Sequence, residues 1–300
     1  MIRRELRGGR VHGERKAGWN SVSEQRFLPG SVTSVFSVLS VAIVAGCAGT
    51  PQIVRSYPTP SADELLQAVR ARQAAVRGMN VETRATSWLG GERVRGTVQM
   101  LVERSGRLRF EAEVSLQGTV AALTVDGGNF AFIDHQKHLF RKGPACPSNV
   151  AAMIRIPLAP TEVAAILLGD IPLPADGKTA EVEWDKNRGA DVLTLESQAG
   201  VRLRLGLRRP NAQVAVWDVI FVEGVEARGR WQVVYEDFER VSGVALPRLV
   251  RFAEPGKSFD DGVEIKIRER ALNPSFPEGA FALEPPPGYQ VELAACGPPH

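Results

Sequence analysis

Apolar residues recur at every second position through much of the chain after Val81, and this period constrains the fold more than any other feature. A strand turns successive side chains to opposite faces, so strict alternation indicates strands with one buried and one solvated face. The pattern is clearest in residues 98–103, 108–114, 201–208 and 264–268. It predicts a mainly β (α+β) chain.

Short turn sequences separate these segments at hairpin spacing. They are Gly90-Gly91, Asp126-Gly127-Gly128, Asn187-Arg188-Gly189 and Asp261-Gly262. Such pairs favour tight turns between antiparallel strands. Counting the segments between turns gives about eleven or twelve strands. Strands joined in this way predict one antiparallel, meandering sheet.

One amphipathic helix is predicted ahead of the first strand. Ser61 and Glu64 have the spacing of a capping box, in which each side chain binds the backbone N–H of the other residue. The apolar residues at helical spacing are Leu65, Leu66, Val69 and Val76, and Gly78 ends the run. We expect the arginines at positions 70, 72 and 77 to lie on the other faces of this helix.

Residues 147–173 break the alternation, because they are apolar throughout and punctuated by prolines. Ser148 is placed to cap one short helix, and Thr161 with Glu162 another that stops at Gly169. Both segments are too apolar to lie free on a surface. We expect them to cover the concave face of a large curved sheet.

An export signal occupies the first 46 residues. Basic residues precede a run of sixteen residues without charge, 31–46, and Cys47 follows directly. This order is that of a bacterial lipoprotein signal, whose cysteine thiol accepts a diacylglycerol and becomes the first residue of the mature chain. The run is shorter than the ~20 residues that span a bilayer, and an uncleaved anchor helix is the alternative. Both place the chain at a membrane surface outside the cytoplasm.

Three parts of the chain follow from this signal. Residues 1–46 form the signal, 47–60 are typical of a lipid-anchored tether, and 61–300 form a single β domain. The signal holds seven of the 37 basic and three of the 34 acidic residues, which leaves 30 and 31 in the mature chain. This balance gives no argument for a nucleic-acid partner.

Two cysteines, Cys146 and Cys296, remain once Cys47 is acylated. In an oxidising envelope two such thiols most often pair, which would close a loop of roughly 150 residues and add about 4–5 kcal/mol. Two separate buried thiols are the alternative. No Cys/His group has zinc spacing, so no metal is predicted.

The sequence contains no arrangement typical of an active site. His135 and His138 form its one close histidine pair, between two apolar segments where a hairpin turn is expected. Turn polarity explains this pair better than metal binding. Zinc-protease, serine-elbow and phosphate-loop patterns are absent from the sequence. We therefore expect no enzyme activity and no cofactor.

The order of these features resembles the LolA/LolB-like lipoprotein carriers and receptors. The shared features are, in order, the signal, the capped first helix, the antiparallel strands and the apolar insert. Four short segments also fit this order: residues 235–238 (YEDF), 244–248 (VALPR), 273–274 (NP) and 281–286 (FALEPP). The resemblance covers residues 61–293 and is nearest to the lipid-anchored receptor type. It implies an antiparallel half-open β-barrel whose hydrophobic cavity, lidded by helices, accepts the acyl chains of another lipoprotein.

Two further features are implied by the same resemblance. In the receptor type an exposed loop leucine aids transfer into the membrane, and Leu116 is the best positional match, with residues 88–89 as a rival. In the carrier type a barrel arginine contacts the lid. Arg84, Arg95 and Arg109 are candidates for that arginine, and the sequence does not distinguish among them.

Apolar side chains of the strands and the insert are the candidate acyl-binding cavity. They are Phe110, Leu123, Phe130, Phe132, Met153, Ile154, Ile166, Leu167, Leu203, Leu205, Trp217 and Phe221. An ordinary packed core is the alternative. A barrel of this strand number is too wide for its wall side chains alone to fill, which favours the cavity.

The sequence thus predicts a lipid-anchored, periplasm-facing protein that binds acyl chains. Its expected partners are membrane lipid through acylated Cys47, lipoprotein acyl chains as ligand, and a periplasmic carrier protein. Ala48 replaces the aspartate that retains some lipoproteins at the inner membrane, which favours the outer membrane by analogy. A structural or adaptor envelope lipoprotein with the same half-barrel is the alternative.

Overall fold

A computed structural model of the chain describes residues 52–297, apart from 90–91, 115–117, 155, 157, 175, 199, 210–216, 227–228 and 254–261. The predicted signal and Cys47 lie outside the described residues. The helices in the described part are α1 (Ala62–Ala75), α2 (Pro147–Ile154) and α3 (Pro160–Leu167). None of these is long and apolar enough to cross a membrane.

The strands in the same part of the chain extend the predicted pattern. They are β1 (Gly78–Leu89), β2 (Glu92–Glu103), β3 (Leu108–Val114), β4 (Gly118–Asp126), β5 (Asn129–Asp134), β6 (Leu139–Pro144), β7 (Lys178–Asp185), β8 (Ala190–Glu196), β9 (Arg202–Arg208), β10 (Asp218–Glu226), β11 (Gly229–Val241), β12 (Val244–Ala253), β13 (Val263–Leu272) and β14 (Gln290–Leu293).

These strands form one open sheet, in the order β14-β6-β5-β4-β3-β2-β1-β13-β12-β11-β10-β9-β8-β7. Neighbours pair antiparallel, except that β14 pairs parallel with β6. The mainly β antiparallel architecture is confirmed. The sheet has fourteen strands rather than eleven or twelve, partly because the four-residue β14 is too short to show alternation.

The apolar insert is the connection between β6 and β7. In the sheet β7 is one edge strand, whereas β6 lies beside the other edge strand, β14. The chain between β6 and β7 therefore has to cross the sheet, and α2 and α3 lie in this crossing. Buried side chains from α3 and from both halves of the sheet join one hydrophobic cluster. The topology requires the crossing, and the apolar side chains of the insert place it on the inner face.

Helix α1 begins at its predicted cap. The Ser61 hydroxyl accepts a hydrogen bond from the Glu64 N–H at 3.1 Å, and Leu65 and Val69 are buried in the hydrophobic cluster. The expectation that all nearby arginines face away is wrong for Arg72, which is only 8% exposed. Its neighbours belong to the candidate site described below.

Residues 273–297, which we call the C-terminal strap, return over the outer face of the sheet. Phe281 is 1% exposed and lies beneath the Arg107 guanidinium at 4.4 Å. Arg109 donates to the carbonyl oxygens of Ala280 and Ala282 at 3.1 and 3.0 Å. The strap then adds β14 to the edge of β6. Because it crosses the sheet before pairing, it can run parallel to β6.

The structure joins Cys146 to Cys296 by a disulfide, with the two Cα atoms 5.9 Å apart. The bridge ties the end of the strap to the start of α2. This helix begins at Pro147, one residue before the cap predicted at Ser148. The Ser148 hydroxyl instead accepts a hydrogen bond from the Gly297 N–H at 3.1 Å.

Candidate functional site

Helix α3 and the turn that follows it, residues 160–171, form what we call the lid. The side chains of Val163 to Leu167 are between 0 and 6% exposed, and Leu168 and Ile171 are 1% exposed. An isolated helix of eight residues is unstable in water. Packing against the sheet therefore has to hold the lid in its helical form.

The start of the lid differs from the prediction by one or two residues. The N-cap is Ala159 and the helix begins at Pro160, whereas Thr161 was the expected cap. Proline suits the first helical position because its missing N–H would have no helical partner there. Glu162 contributes as expected, since its carboxylate accepts a hydrogen bond from the Ala159 N–H at 2.6 Å.

Helix α3 ends at Leu167 with Leu168 as its C-cap, and Gly169 stops it as the sequence predicts. Gly169 has a φ of +72°, which favours glycine at a helix end. A Cβ at this position would lie 2.6 Å from Cδ of Pro247. The N–H groups of Gly169 and Asp170 donate to the carbonyls of Ile166 and Ala165, both at 2.9 Å.

Two side chains of α1 bind the end of the lid. Arg72 donates to the carbonyl of Gly169 at 2.6 Å and to that of Ala245 in β12. Gln73 donates to the carbonyl of Ile171 at 3.0 Å. Burial lowers the pKa of Arg72, and the nearby Asp170 carboxylate acts in the opposite direction. One guanidinium thus links the helix, the lid and the sheet.

Two further side chains bind the lid from the sheet. The Tyr235 hydroxyl of β11 donates to the Asp170 carbonyl at 2.7 Å. Arg104, after β2, donates to the Asp170 carboxylate at 3.0 Å, and this carboxylate is fully buried. Burial raises the pKa of Asp170, while Arg104 and Arg72 act in the opposite direction. We call Arg72, Gln73, Arg104 and Tyr235 the latch.

The latch is not predicted from the sequence, although one signal for Arg72 is present. Arg72 lies three residues after Val69 and four before Val76, so helical spacing places it on the apolar face of α1. An arginine in the middle of an apolar face indicates a buried partner. Arg104 lies in the turn after β2 and carries no comparable signal. Alternation places Tyr235 on a buried face but does not identify its partner, Asp170.

The lid-contacting arginine implied by the resemblance is none of the three candidates. Arg84 and Arg95 are exposed, and Arg109 binds carbonyls of the C-terminal strap on the outer face. Arg72 and Arg104 contact the lid instead.

Eight of the twelve predicted cavity residues lie together in the main hydrophobic cluster, and each is at most 5% exposed. They are Phe110, Leu123, Phe130, Ile166, Leu167, Leu203, Leu205 and Trp217. Phe132 is half-buried and packs against the same cluster. The side chains of Met153 and Ile154 lie outside the described part of the structure, as does Leu116.

Phe221 does not line the inner face, and its prediction is wrong. A β-bulge between Val219 and Phe221 reverses the alternation, so that Val219 joins the main cluster and Phe221 a second one. The Phe221 ring covers Gly206, where a Cβ would lie 2.1 Å from it. Gly206 alternates with the inward Leu205, which places Phe221 on the outer face.

Among the described residues, the side chains between the lid and the sheet fill the inner face. Val163 and Ala164 of the lid are 0% exposed, and so are Leu123 and Leu205 of the sheet. A side chain with no accessible surface has neighbouring atoms on all sides. Lid side chains therefore occupy the space in which acyl chains are expected from the sequence.

The histidine pair lies at the β5–β6 turn, where the sequence places it. His135 Nδ1 is 2.8 Å from the Tyr289 hydroxyl, and the His138 ring packs against the same tyrosine at 5.2 Å. Both contacts attach the C-terminal strap to the sheet. Across the described residues, no three His, Cys, Asp or Glu side chains are grouped so as to hold a metal ion.

Comparison with solved structures identifies the class of fold. A LolA superfamily protein from Nitrosomonas europaea matches with a TM-score of 0.52 and 13% identity, over 75% of this chain and 99% of that chain. A domain named for outer membrane lipoprotein sorting, from Vibrio parahaemolyticus, matches with a TM-score of 0.50 and 11% identity, over 74% and 97%. A DUF1329 family protein from Desulfovibrio piger matches with a TM-score of 0.50 and 12% identity, over 75% and 98%.

The chain therefore has the half-open β-barrel fold of LolA superfamily proteins, as the resemblance implies. At these identities the likeness concerns the fold alone. No protein-family model and no curated protein matches the sequence.

Proposed function

We propose that the protein is a lipid-anchored envelope protein that binds acyl chains beneath its lid and takes part in lipoprotein receipt at the outer membrane. The mechanism is passive. The latch opens, acyl chains replace lid side chains on the inner face, and no bond is made or broken. A periplasmic carrier protein is the expected donor of the cargo.

One observation carries this proposal, namely the contrast between the two ways in which the lid is held. Its apolar helix fills the inner face without belonging to any strand pairing. Its end is held by four polar side chains, mostly through backbone carbonyls. An element attached in this way can move without breaking the sheet.

The free energy gained by burying an acyl chain on the inner face is similar in size to the free energy lost by exposing the lid. Burying an acyl chain of ~15 methylenes gains about 12 kcal/mol, at about 0.8 kcal/mol for each. Exposing the lid's apolar side chains costs about 1.5–3 kcal/mol apiece. Since these large terms nearly cancel, hydrogen bonds worth about 0.5–1.5 kcal/mol each decide whether the lid is open or closed.

The comparisons with solved structures also support a role in binding acyl chains. The matched domain from Vibrio parahaemolyticus is named for outer membrane lipoprotein sorting, and a shared fold offers this chain a similar concave face. Fold alone does not determine function. The proposal therefore depends on a direct binding test.

We expect a fluorescent fatty acid to bind saturably to residues 49–300, which form one compact unit. Phe132→Ala should weaken binding by about tenfold or more, because a lost aromatic contact costs about 1.5–3 kcal/mol. Phe221→Ala is the matched control, since Phe221 faces outward, and it should leave affinity unchanged. Fluorescence titration of folded variants measures both. Equal losses for the two variants would contradict a site on the inner face.

The lipid anchor has its own test. Expressed in a bacterium from its own start, the chain should carry acyl groups on Cys47 by intact mass and sediment with membranes. Cys47→Ser should abolish the acylation and leave the protein unprocessed. A wild-type N-terminus that retains residues 1–46 without lipid would favour the uncleaved anchor helix instead.

The adaptor alternative is supported by the filled inner face. A solid interior is what a structural lipoprotein would need, because such a protein uses only its outer surfaces. The titration separates the two, since an adaptor shows no saturable fatty-acid binding.

A further inference from the structure

Residues 53–57, which belong to the segment predicted as a tether, are bound to the sheet. The Ile53 N–H donates to the Lys186 carbonyl at 2.8 Å, and the Trp184 indole N–H donates to the Ile53 carbonyl at 3.1 Å. The Ile53 side chain also covers Gly189, where a Cβ would lie 2.9 Å from it. Residue 53 is therefore fixed against the β7–β8 hairpin.

A buried carboxylate holds the next part of the segment. Asp191 is 0% exposed and accepts hydrogen bonds from the Arg55 guanidinium at 2.5 Å and the Tyr57 hydroxyl at 2.9 Å. Because the carboxylate is desolvated, losing either donor leaves it under-satisfied. This makes the contact specific in a way that an exposed ion pair is not.

Aromatic packing surrounds the same contact. The Tyr57 ring meets those of Trp184 and Trp217 edge-on, at 6.1 and 5.6 Å. The Arg209 guanidinium lies over the Trp217 ring at 4.8 Å. We call Ile53, Arg55 and Tyr57, with the side chains that bind them, the anchor clamp.

The clamp lies close in sequence to the proposed lipid. Six peptide steps join Cys47 to Ile53, which span at most roughly 20 Å when fully extended. A strand of twelve residues such as β2 is about 40 Å long. A lipid on Cys47 therefore keeps Ile53 and the clamped hairpin within roughly 20 Å of the bilayer, whereas the opposite strand ends can lie about 40 Å farther away.

We propose that the anchor clamp orients the domain, so that the tip of the β7–β8 hairpin (residues 186–189) is the surface that lies against the phospholipid headgroups. This proposal rests on the proposed function, because it requires the lipid on Cys47. The strand pairings place the β3–β4 and β5–β6 turns at the opposite end of the sheet. Those turns then face away from the anchoring membrane while the clamp is closed.

Surface charge contributes little to this orientation. Lys186 and Arg188 at the tip are exposed, but Arg188 is paired with Asp185 at 3.9 Å and with Glu223 at 3.1 Å. A compensated charge such as that of Arg188 attracts anionic lipid weakly, which leaves Lys186 as the main cation of the tip. The orientation should therefore persist in vesicles of neutral lipid and in high salt.

Spin labels on the acylated full chain in phosphatidylcholine vesicles test the proposal. Labels are attached at Asn187→Cys in the hairpin tip and at Lys137→Cys in the β5–β6 turn, and a nickel-chelating lipid serves as relaxing agent. We expect several-fold faster relaxation at position 187 than at 137. The double variant Arg55→Ala/Tyr57→Ala should remove this difference, whereas Arg202→Ala, an exposed arginine outside the clamp, should preserve it.

The other outcomes of the spin-label experiment would each overturn the proposed orientation. Equal rates at the two positions in an acylated wild-type chain overturn the orientation and leave acyl binding untouched. A difference that survives the folded double variant also overturns it. If mass spectrometry finds no acyl group on Cys47, the lipid anchor of the proposed function fails and this proposal fails with it.

Discussion

Reduction of the Cys146–Cys296 disulfide should lower the free energy of unfolding by about 3–5 kcal/mol. The bridge closes a loop of 150 residues, and the chain-entropy model assigns about 4–5 kcal/mol to a loop of this length. Urea unfolding with and without reductant measures the loss. The double variant Cys146→Ser/Cys296→Ser is the control, because reductant should have no further effect on it.

After reduction, the loss of stability should begin at the edge of the sheet, where β14 pairs with β6. β14 has only four residues, and Val291 and Leu293 are 52 and 80% exposed, so little burial holds this strand on β6. After reduction we expect faster amide exchange at Ala294, which donates to the Lys142 carbonyl at 2.8 Å. Protection that survives reduction would show that the strap is held by its other contacts.

The sequence allowed the sheet to be predicted because alternation is a local signal. The residues of β9 show this, since Leu203, Leu205 and Leu207 alternate with polar or small residues and all three are buried. Phe221 shows where this local signal fails. One bulged residue reverses the faces of a strand, and nothing in the composition of β10 marks its position.

The parts that sequence reasoning missed depend on contacts between distant residues. Arg55 and Asp191 are 136 positions apart, so the proline-rich composition of the tether gave no sign that it is bound. Tyr235 and Asp170 are separated by 65 positions. Alternation and helical spacing predict which face a residue lies on, but they do not predict which polar partner it meets there.

Arg72→Met should lower the free energy of unfolding by about 3–4 kcal/mol. Methionine keeps much of the side-chain volume but donates no hydrogen bond, so the carbonyls of Gly169 and Ala245 lose a charged donor inside the protein, and Asp170 loses a nearby positive charge. Removing one partner of such a buried arrangement costs about 3–5 kcal/mol. Arg70→Met is the matched control, because Arg70 is exposed on the same helix and should change stability little. Equal effects of the two variants in urea would show that Arg72 contributes no stability through the latch.

Tyr235→Phe separates lid opening from general stability. Its hydroxyl donates to the Asp170 carbonyl and also lies 3.3 Å from the Ile166 carbonyl, so the variant loses contacts with the lid while the ring stays in place. A closed lid lowers apparent affinity by the fraction of molecules that are open, and each 1.4 kcal/mol removed from the latch raises a small open fraction about tenfold. A lost hydrogen bond of about 1 kcal/mol should therefore make fatty-acid binding about fivefold tighter although the protein is less stable. Binding that weakens in step with stability would mean that the lid is part of a fixed core and that acyl chains do not enter beneath it.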